Sequence, residues 1–393
     1  MRRIQIVSFL LVVPALGLVL VSVAWPLAAI MKSAYTNTIS PAILPDTNAL
    51  IRNWQAGTHI SDDLVSTLLR ELSSAYEARK ISRLGSTLEN ELRGMRKLIN
   101  KTAAALRNHA PITSQADLII VVPQWQDEKT WIALQRGLQT YTWTHILRAL
   151  DFFYDRDGQL QYAGRSLAIF TAATIRTVIL SILVTSICAI LAYPLAYVMA
   201  TSSKRWKTVA LFCVLFSFWI SLLVRTSAWI IILQRQGILN DLLLKVGLLS
   251  ERIQLINNRT GLLITMVHIL LPFMILPLYA SMVSISRQQI LAGLSLGAGP
   301  ATVFRRVYLP QTISGLQTGV ILVFVITLGF YITPALVGGP GDQMLSSYIA
   351  SYLNERLDWA TASALSFVLI LIIILSYFTL YLLFRSHRAI EPK

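Results

Sequence analysis

The side chains best placed to do chemistry are the charged and aromatic residues set inside apolar runs. Arg176 lies in "TIRT" and Arg225 in "LVRT", each within a stretch of Leu, Ile, Val and Ala. A charge in such surroundings is costly, so it either lines a polar path or serves a neighbouring helix as a structural partner. Trp219, Trp229, Phe330 and Tyr331 occupy similar stretches, and their ring faces suit a cation or an amine. His268 is alone in its run and is read as a packing histidine. A third kind of candidate is the basic stretch 293–310, "GLSLGAGPATVFRRVYLP", which contains no acid. Gly297, Gly299 and Pro300 predict a break between two short helices. The second of these places Val303, Phe304, Val307 and Tyr308 on one apolar face, with Arg305 and Arg306 elsewhere. Leu309-Pro310 is expected to end that element and redirect the chain. A short amphipathic helix of this kind either lies on lipid or docks in a groove of a soluble partner.

Other chemistries lack their residues. No G-x-x-x-x-G-K-[ST] loop is present for nucleotide, and no G-x-S-x-G elbow for acyl transfer. The five histidines are scattered, so no metal site is expected. Cys188 and Cys213 sit in apolar runs as small core residues. The Asn258-Arg259-Thr260 triplet fits a glycosylation signal and is read as chance.

The elements that must position these residues are membrane helices. Hydrophobic residues make up 55% of the 393 and charged ones only 13%, half the usual charged share of a soluble domain, about 25%. Six runs reach the roughly 20 residues needed to cross a bilayer: 4–31, 166–200, 209–233, 261–285, 314–337 and 359–384. The first is read as a retained anchor, because it is longer than the apolar core of a cleaved signal. The net charge of +15 would suit nucleic acid, but the basic residues gather at helix ends instead. With both termini cytoplasmic, Arg2, Arg3, Lys204, Arg205, Lys207, Arg287, Arg305, Arg306, Arg385, Arg388 and Lys393 all fall on the inner side. Pro194, Pro272, Pro277 and Pro334 interrupt the runs, which predicts bent helices around a cavity.

The exception is the polar block 32–165. Leu64, Leu68, Leu72, Leu84, Leu88, Leu92, Met95 and Ile99 recur there at helical spacing, and Ser61-Asp62-Asp63 is a helix start. Gly85 is expected to divide this region into two helices. "DLIIVVP" is expected to be a short strand, and 128–153 a second helical stretch. The block is therefore read as a small, mainly helical periplasmic domain whose apolar stripe is core. The resulting division is a first transmembrane helix over 1–31, that domain, a core of five membrane helices over 166–386 with a cytoplasmic loop at 287–313, and a tail at 387–393.

The stretch "LAGLSLGAGPATVFRRVYLP" resembles the cytoplasmic loop motif of permease subunits of binding-protein-dependent ABC importers. Gly297 falls on the motif glycine, Leu309-Pro310 on its terminal pair and Ala292 on one of its alanines. Leu291 stands in place of the usual glutamate, and Gly293 in place of the second alanine. "TAATIRTVILSILVTSICAILAYPLAYVMA", "FSFWISLLVRTSAWIIILQRQGILN", "LLPFMILPLYASM" and "GFYITPALVGGPG" are similar to successive spans of the spermidine/putrescine-type branch. The resemblance covers 165–386 and the first span, and leaves the block 32–165 outside.

It implies an all-α polytopic membrane protein of the type I ABC importer permease fold, in the bacterial inner membrane, without catalysis of its own. It implies a loop gripped by a cytoplasmic ATPase present in two copies, which holds the ATP and Mg. It also implies a second, different permease, a periplasmic substrate-binding protein, and a path for a small polar or charged solute. Ala292, Gly297, Phe304, Arg305, Arg306, Leu309 and Pro310 would then couple to the ATPase, and Arg176, Trp219, Arg225, Trp229, Phe330 and Tyr331 would line the path. Polyamine is the leading solute, although the apolar runs from 166 to 337 contain no Asp or Glu; amino-acid derivatives, opines and organophosphonates also belong to that branch. The extra domain is expected to contact the binding protein or the second permease. A membrane sensor would share the helical external domain, and a lone secondary transporter would need an internal repeat or coupling carboxylates.

Overall fold

The computed structural model describes residues 2–108, 114–155, 159–164 and 167–388, with backbone alone for 2–11, 108 and 385–388. Lys393, at the end of the expected tail, and Arg165 and Ser166, at the expected domain boundary, lie outside the described residues. The chain divides into two compact units, Met1–Ala172 with Tyr352–Val368, and Ala173–Ser351 with Leu369–Lys393.

The first unit opens with α1 (Arg2–Tyr35), which carries Pro14 and Pro26. From Val12 to Ala29 its side chains are exposed, with Leu18 71% exposed. Next come α2 (Ile39–Ile43), α3 (Pro45–Ile51), α4 (Asp62–Glu77), α5 (Ile81–Leu88), α6 (Met95–Asn108), α7 (Gln115–Val121), α8 (Glu128–Gly137) and α9 (Thr144–Ala149). Ser61 caps α4 by accepting from the Leu64 N–H at 3.3 Å. The apolar stripe closes on itself: Leu64, Leu68, Leu72, Leu84, Leu88, Met95 and Ile99 are buried in one cluster, with Leu92 packed against it. Trp125 and Trp131 lie at its centre with ring centroids 4.7 Å apart. Each indole finds an acceptor, Thr102 Oγ1 for Trp125 and the Trp125 carbonyl for Trp131, both at 2.9 Å. Buried Glu71 accepts from the Asp46 and Thr47 N–H groups at the start of α3.

Three local expectations fail here. The helix break falls at 78–80, where Arg79 takes φ 56°, and Gly85 lies inside α5. A Cβ on Gly85 would stand 3.3 Å from the Arg96 Cα, so the glycine serves the close crossing of α6. The segment read as a strand is the helix α7, because Ser114 and Asp117 form a capping box that starts it. The expected helix over 128–153 stops at Gly137, resumes as α9, and gives way to β1 (Phe152–Tyr154), which pairs antiparallel with β2 (Leu160–Tyr162). Asp151, at φ 60°, makes that turn. Its carboxylate accepts from the Phe170 and Thr171 N–H groups at 3.2 and 2.5 Å.

The remaining helices are α10 (Ile169–Thr201), α11 (Lys204–Trp219), α12 (Leu222–Leu233), α13 (Ile238–Lys245), α14 (Arg259–Val283), α15 (Arg287–Ser295), α16 (Pro300–Val303), α17 (Leu309–Leu328), α18 (Ile332–Val337), α19 (Leu345–Asn354) and α20 (Trp359–Arg388). Among the described residues five helices are long and apolar enough to cross a membrane, or six if α11 and α12 form one span. The protein is an all-α polytopic membrane protein apart from the small hairpin.

The run 209–233, expected as one span, consists of two helices, α11 and α12, that meet at 100°. Ser221 starts the new direction, its Oγ accepting from the Val224 N–H at 3.3 Å. The run 314–337 likewise stops at Leu328 and restarts as α18 after Gly329–Tyr331. Packing in this unit relies on glycine: a Cβ on Gly315 would come within 2.6 Å of the Pro277 carbonyl, and one on Gly319 within 2.6 Å of Met274 Sδ. These two glycines, four residues apart, let α17 lie directly on α14.

Candidate functional sites

The first candidate is the turn that follows α15. The helix ends in a Schellman motif: Ala298 N–H donates to the Gly293 carbonyl at 3.2 Å and Gly297 N–H to the Leu294 carbonyl at 3.0 Å. Gly297 holds φ 86°, the left-handed region that glycine enters without steric cost. The glycine singled out in the sequence is therefore the residue that reverses the chain. No residue of α15 is buried. Leu291, Leu294 and Leu296 are 50%, 40% and 88% exposed, so the knuckle presents leucines outward. Ala292 is exposed beside them. The departure at Gly293 has a local cause: a Cβ there would meet Val303 Cγ2 at 3.1 Å.

Beyond Pro300 the chain follows α16 and a π-helical turn over Phe304–Tyr308. The expected face appears: Val303 and Tyr308 are buried, Phe304 and Val307 half-buried, and Arg305 and Arg306 exposed. Phe304 and Tyr308 stack on each other with centroids 5.7 Å apart, and both meet Tyr197 of α10 edge-on. Tyr193 of α10 shares a hydrogen bond of 3.1 Å with Thr312 of α17. Leu309-Pro310 does not end the element as expected. Pro300–Leu328 runs on as one helical stretch, because a proline in the first turn of α17 costs little where the π turn has already displaced the preceding hydrogen bonds.

The second candidate surrounds α12. Arg225 donates from Nη1 to Ser217 Oγ of α11 and to the Ile269 carbonyl of α14, each at 3.4 Å. Its Nε is buried without a partner. Four residues on, Trp229 donates from Nε1 to His268 Nδ1 at 3.0 Å, with the rings 5.3 Å apart. Thr226, between them, shares a 3.2 Å hydrogen bond with Thr333 of α18. Arg225, Trp229 and His268 thus form one polar cluster beside the 100° bend. The sequence reads His268 as a packing histidine because it is alone in its run; its partner is 39 residues away, and no local spacing reveals it.

The other expected path residues separate from this cluster. Trp219 is 86% exposed at the end of α11. Phe330 and Tyr331 occupy the break before α18, Phe330 half-buried and Tyr331 45% exposed. Arg176 donates from Nη1 to the Gln343 carbonyl at 2.7 Å, and neighbouring Thr177 Oγ1 accepts from the Leu345 N–H at 2.8 Å. Together they bind α10 to the start of α19, which is the structural role open to a membrane arginine. Asn258, of the chance triplet, caps α14 by accepting from the Gly261 N–H at 2.8 Å. Among the described residues no group of His, Cys, Asp or Glu is arranged to hold a metal ion.

Comparison with known proteins covers the same region. The family described as binding-protein-dependent transport system inner membrane component matches residues 192–389. The spermidine/putrescine transport system permease protein PotB of Haemophilus influenzae is 32% identical over 209 residues, which cover 53% of this chain and 72% of that protein. PotB of Escherichia coli K12 is 30% identical over 54% of this chain and 77% of its own length. The inner membrane ABC transporter permease protein YdcU of the same organism is 33% identical over 61% and 81%. A crystal structure of a bacterial ABC transporter involved in import of the acidic polysaccharide alginate is a loose structural neighbour, with TM-score 0.43 and 17% identity over 55% of this chain and 79% of that one.

Proposed function

The chain belongs to the family of binding-protein-dependent transport system inner membrane components, and we propose that it forms half of a solute path whose ATP-driven motor grips the knuckle after α15. It is a permease subunit of an ABC importer, a multi-pass inner-membrane protein and not an enzyme. In this reading ATP and Mg belong to two copies of a cytoplasmic ATPase, since the chain has no phosphate-binding loop. A second, different permease completes the path, and both termini lie in the cytoplasm. The observation that carries the coupling role is the exposed leucine surface of α15, held rigid by the Schellman turn at Gly297. An apolar knuckle on a helix with no buried residue suits insertion into a protein groove. Arg305 and Arg306 flank it and would meet the acidic rim of such a groove. The stacked Phe304 and Tyr308 carry its motion to Tyr197 on α10, and the continuous helix carries it into α17.

The test is copurification of the ATPase with the permease. Leu291→Asp/Leu294→Asp should release the ATPase and abolish ATP-driven uptake in proteoliposomes, while the variant permease still accumulates in membranes. Wild-type copurification and uptake would overturn the assignment.

For the solute, the names of the PotB relatives support a polyamine. The cluster at α12 supports a second reading. Arg225 and His268 offer cationic and imidazole groups, and α10, α11, α12, α14 and α17 carry no Asp or Glu, so an anionic or zwitterionic organic solute, such as an amino-acid derivative, an opine or an organophosphonate, fits this half of the path better. Stimulation of ATPase activity by spermidine, against stimulation by a zwitterionic or phosphonate solute with its binding protein, decides between them.

A further inference from the structure

A cavity of about 750 Å3 lies in the first unit. Trp25 and Lys32 near the end of α1, Arg83 of α5, His145 of α9 and Trp359 at the start of α20 all line it. Nothing in the transport reading uses it, and the part of the chain that builds most of it lies outside the family match.

Three features define what would fit. The first is charge. Lys32 and Arg83 are exposed cations, and Asp358 supplies the opposing charge. The Asp358 carboxylate is already engaged, accepting from Thr361 N–H at 3.1 Å and Thr361 Oγ1 at 2.7 Å at the start of α20. The balance at the wall is cationic. The second is polar demand. His145 is 2% exposed, yet neither ring nitrogen has a hydrogen-bond partner. Burial pushes its pKa down against the raising effect of Asp358, and Arg148 lowers it further. A neutral imidazole offers one donor and one acceptor, and a buried group left unbonded costs about 1–3 kcal/mol. The third is position. Trp359 begins the membrane helix α20, where tryptophans sit at headgroup level, and Trp25 lies on the last three turns of α1. Along α1 the surface leading away from the cavity is apolar and open, with Leu18, Leu20 and Val21 each 59% exposed or more.

We propose that this cavity binds the phosphate of an anionic phospholipid headgroup, held by Lys32 and Arg83 and hydrogen-bonded by His145, with the acyl chains lying along α1. A phosphate ester is the shared chemistry of a lipid headgroup and of a soluble phosphorylated solute. Trp359 and the open apolar face of α1 favour the lipid. Lipid occupancy would fasten the helical domain to the bilayer.

The test uses the delipidated full-length chain in detergent, with native mass spectrometry for dihexanoyl phosphatidylglycerol and phosphatidylcholine and calorimetry for glycerol 3-phosphate. Phosphatidylglycerol should bind at least tenfold more tightly than phosphatidylcholine. Lys32→Ala/Arg83→Ala should remove that preference, and the charge-preserving Lys32→Arg/Arg83→Lys should keep it. Both side chains are exposed, so neither pair of changes disturbs the core, and His145→Asn should weaken binding less than the alanine pair. Equal affinity for the two lipids, or wild-type binding by the alanine variant, overturns the site. Glycerol 3-phosphate binding as tightly as phosphatidylglycerol overturns the lipid and assigns the cavity to a soluble phosphate ester.

Discussion

The helical domain and the membrane unit are built from the same element but use apolar residues in opposite ways. In the domain the leucines point inward, and Leu68, Leu72, Leu84 and Leu88 are fully buried around two tryptophans. In the membrane unit Ile190 and Phe212 are 71% and 65% exposed, while Thr177, Thr226, Thr265, Thr312, Thr327 and Thr333 are almost wholly buried. The cause is the solvent. In water the burial of apolar area drives packing. In lipid that drive is missing, so helices associate through close backbone approach and hydroxyl hydrogen bonds. Thr226 with Thr333 and Tyr193 with Thr312 show this by sharing hydroxyl hydrogen bonds of 3.2 and 3.1 Å between helices, and Gly315 and Gly319 show it by letting α17 touch α14.

This contrast can be broken at either end. The largest effect is expected from Trp125→Ala, which should cost about 3–5 kcal/mol and raise hydrogen exchange across α4 to α8 while leaving α14 and α17 protected. Exchange that rises equally in both units would show that the two cores are not separate. Next is Glu91, a carboxyl buried at 2% exposure beside Thr144. Burial raises its pKa from 4.5 to about 7, against the lowering effects of the Thr144 hydrogen bond and Arg136. A raised folded-state value means stability is fully present below pH 4.5 and is lost as pH rises through about 7. The loss is on the order of 3 kcal/mol. The domain should therefore melt at lower temperature at pH 8 than at pH 5, and Glu91→Gln should remove most of that difference.

In the membrane unit Gly319→Leu should push α17 off α14 and cost about 1–3 kcal/mol, read as a lower melting temperature of the detergent-purified permease. Leu68→Met in the domain, which keeps apolar volume, should cost less than about 1.5 kcal/mol; the reverse ranking would undo the contrast. Gly297→Ala should cost a similarly small amount, about 1–2 kcal/mol, for a side chain in the left-handed region. Its larger consequence should be a fall in ATP-driven uptake with membrane insertion unchanged, and full uptake would mean that the turn need not be rigid.

The sequence revealed most where one local rule sufficed. The apolar stripe of the domain, the cap at Ser61, the face formed by Val303 and Tyr308, and the reversal at Gly297 were all legible from spacing or residue type. It misled where two local signals competed. Gly85 reads as a breaker by propensity, but the close crossing of α6 decides its place. Leu-Pro at 309–310 reads as an end, but the π turn before it absorbs the proline. It was silent where partners are distant, as for Trp229 with His268 and Arg176 with the Gln343 carbonyl, because a hydrogen bond across 39 or 167 residues leaves no periodic trace in a single chain.

The π turn over Phe304–Tyr308 also has a geometric consequence. It holds one residue more than α geometry allows, and one residue is about 100° of rotation around a helix axis. The leucine knuckle upstream and the Gly315–Gly319 seam downstream are therefore set in azimuth by this single surplus residue, as a keyway sets a shaft. Shortening the turn by one residue would leave both surfaces intact and aim one of them in the wrong direction.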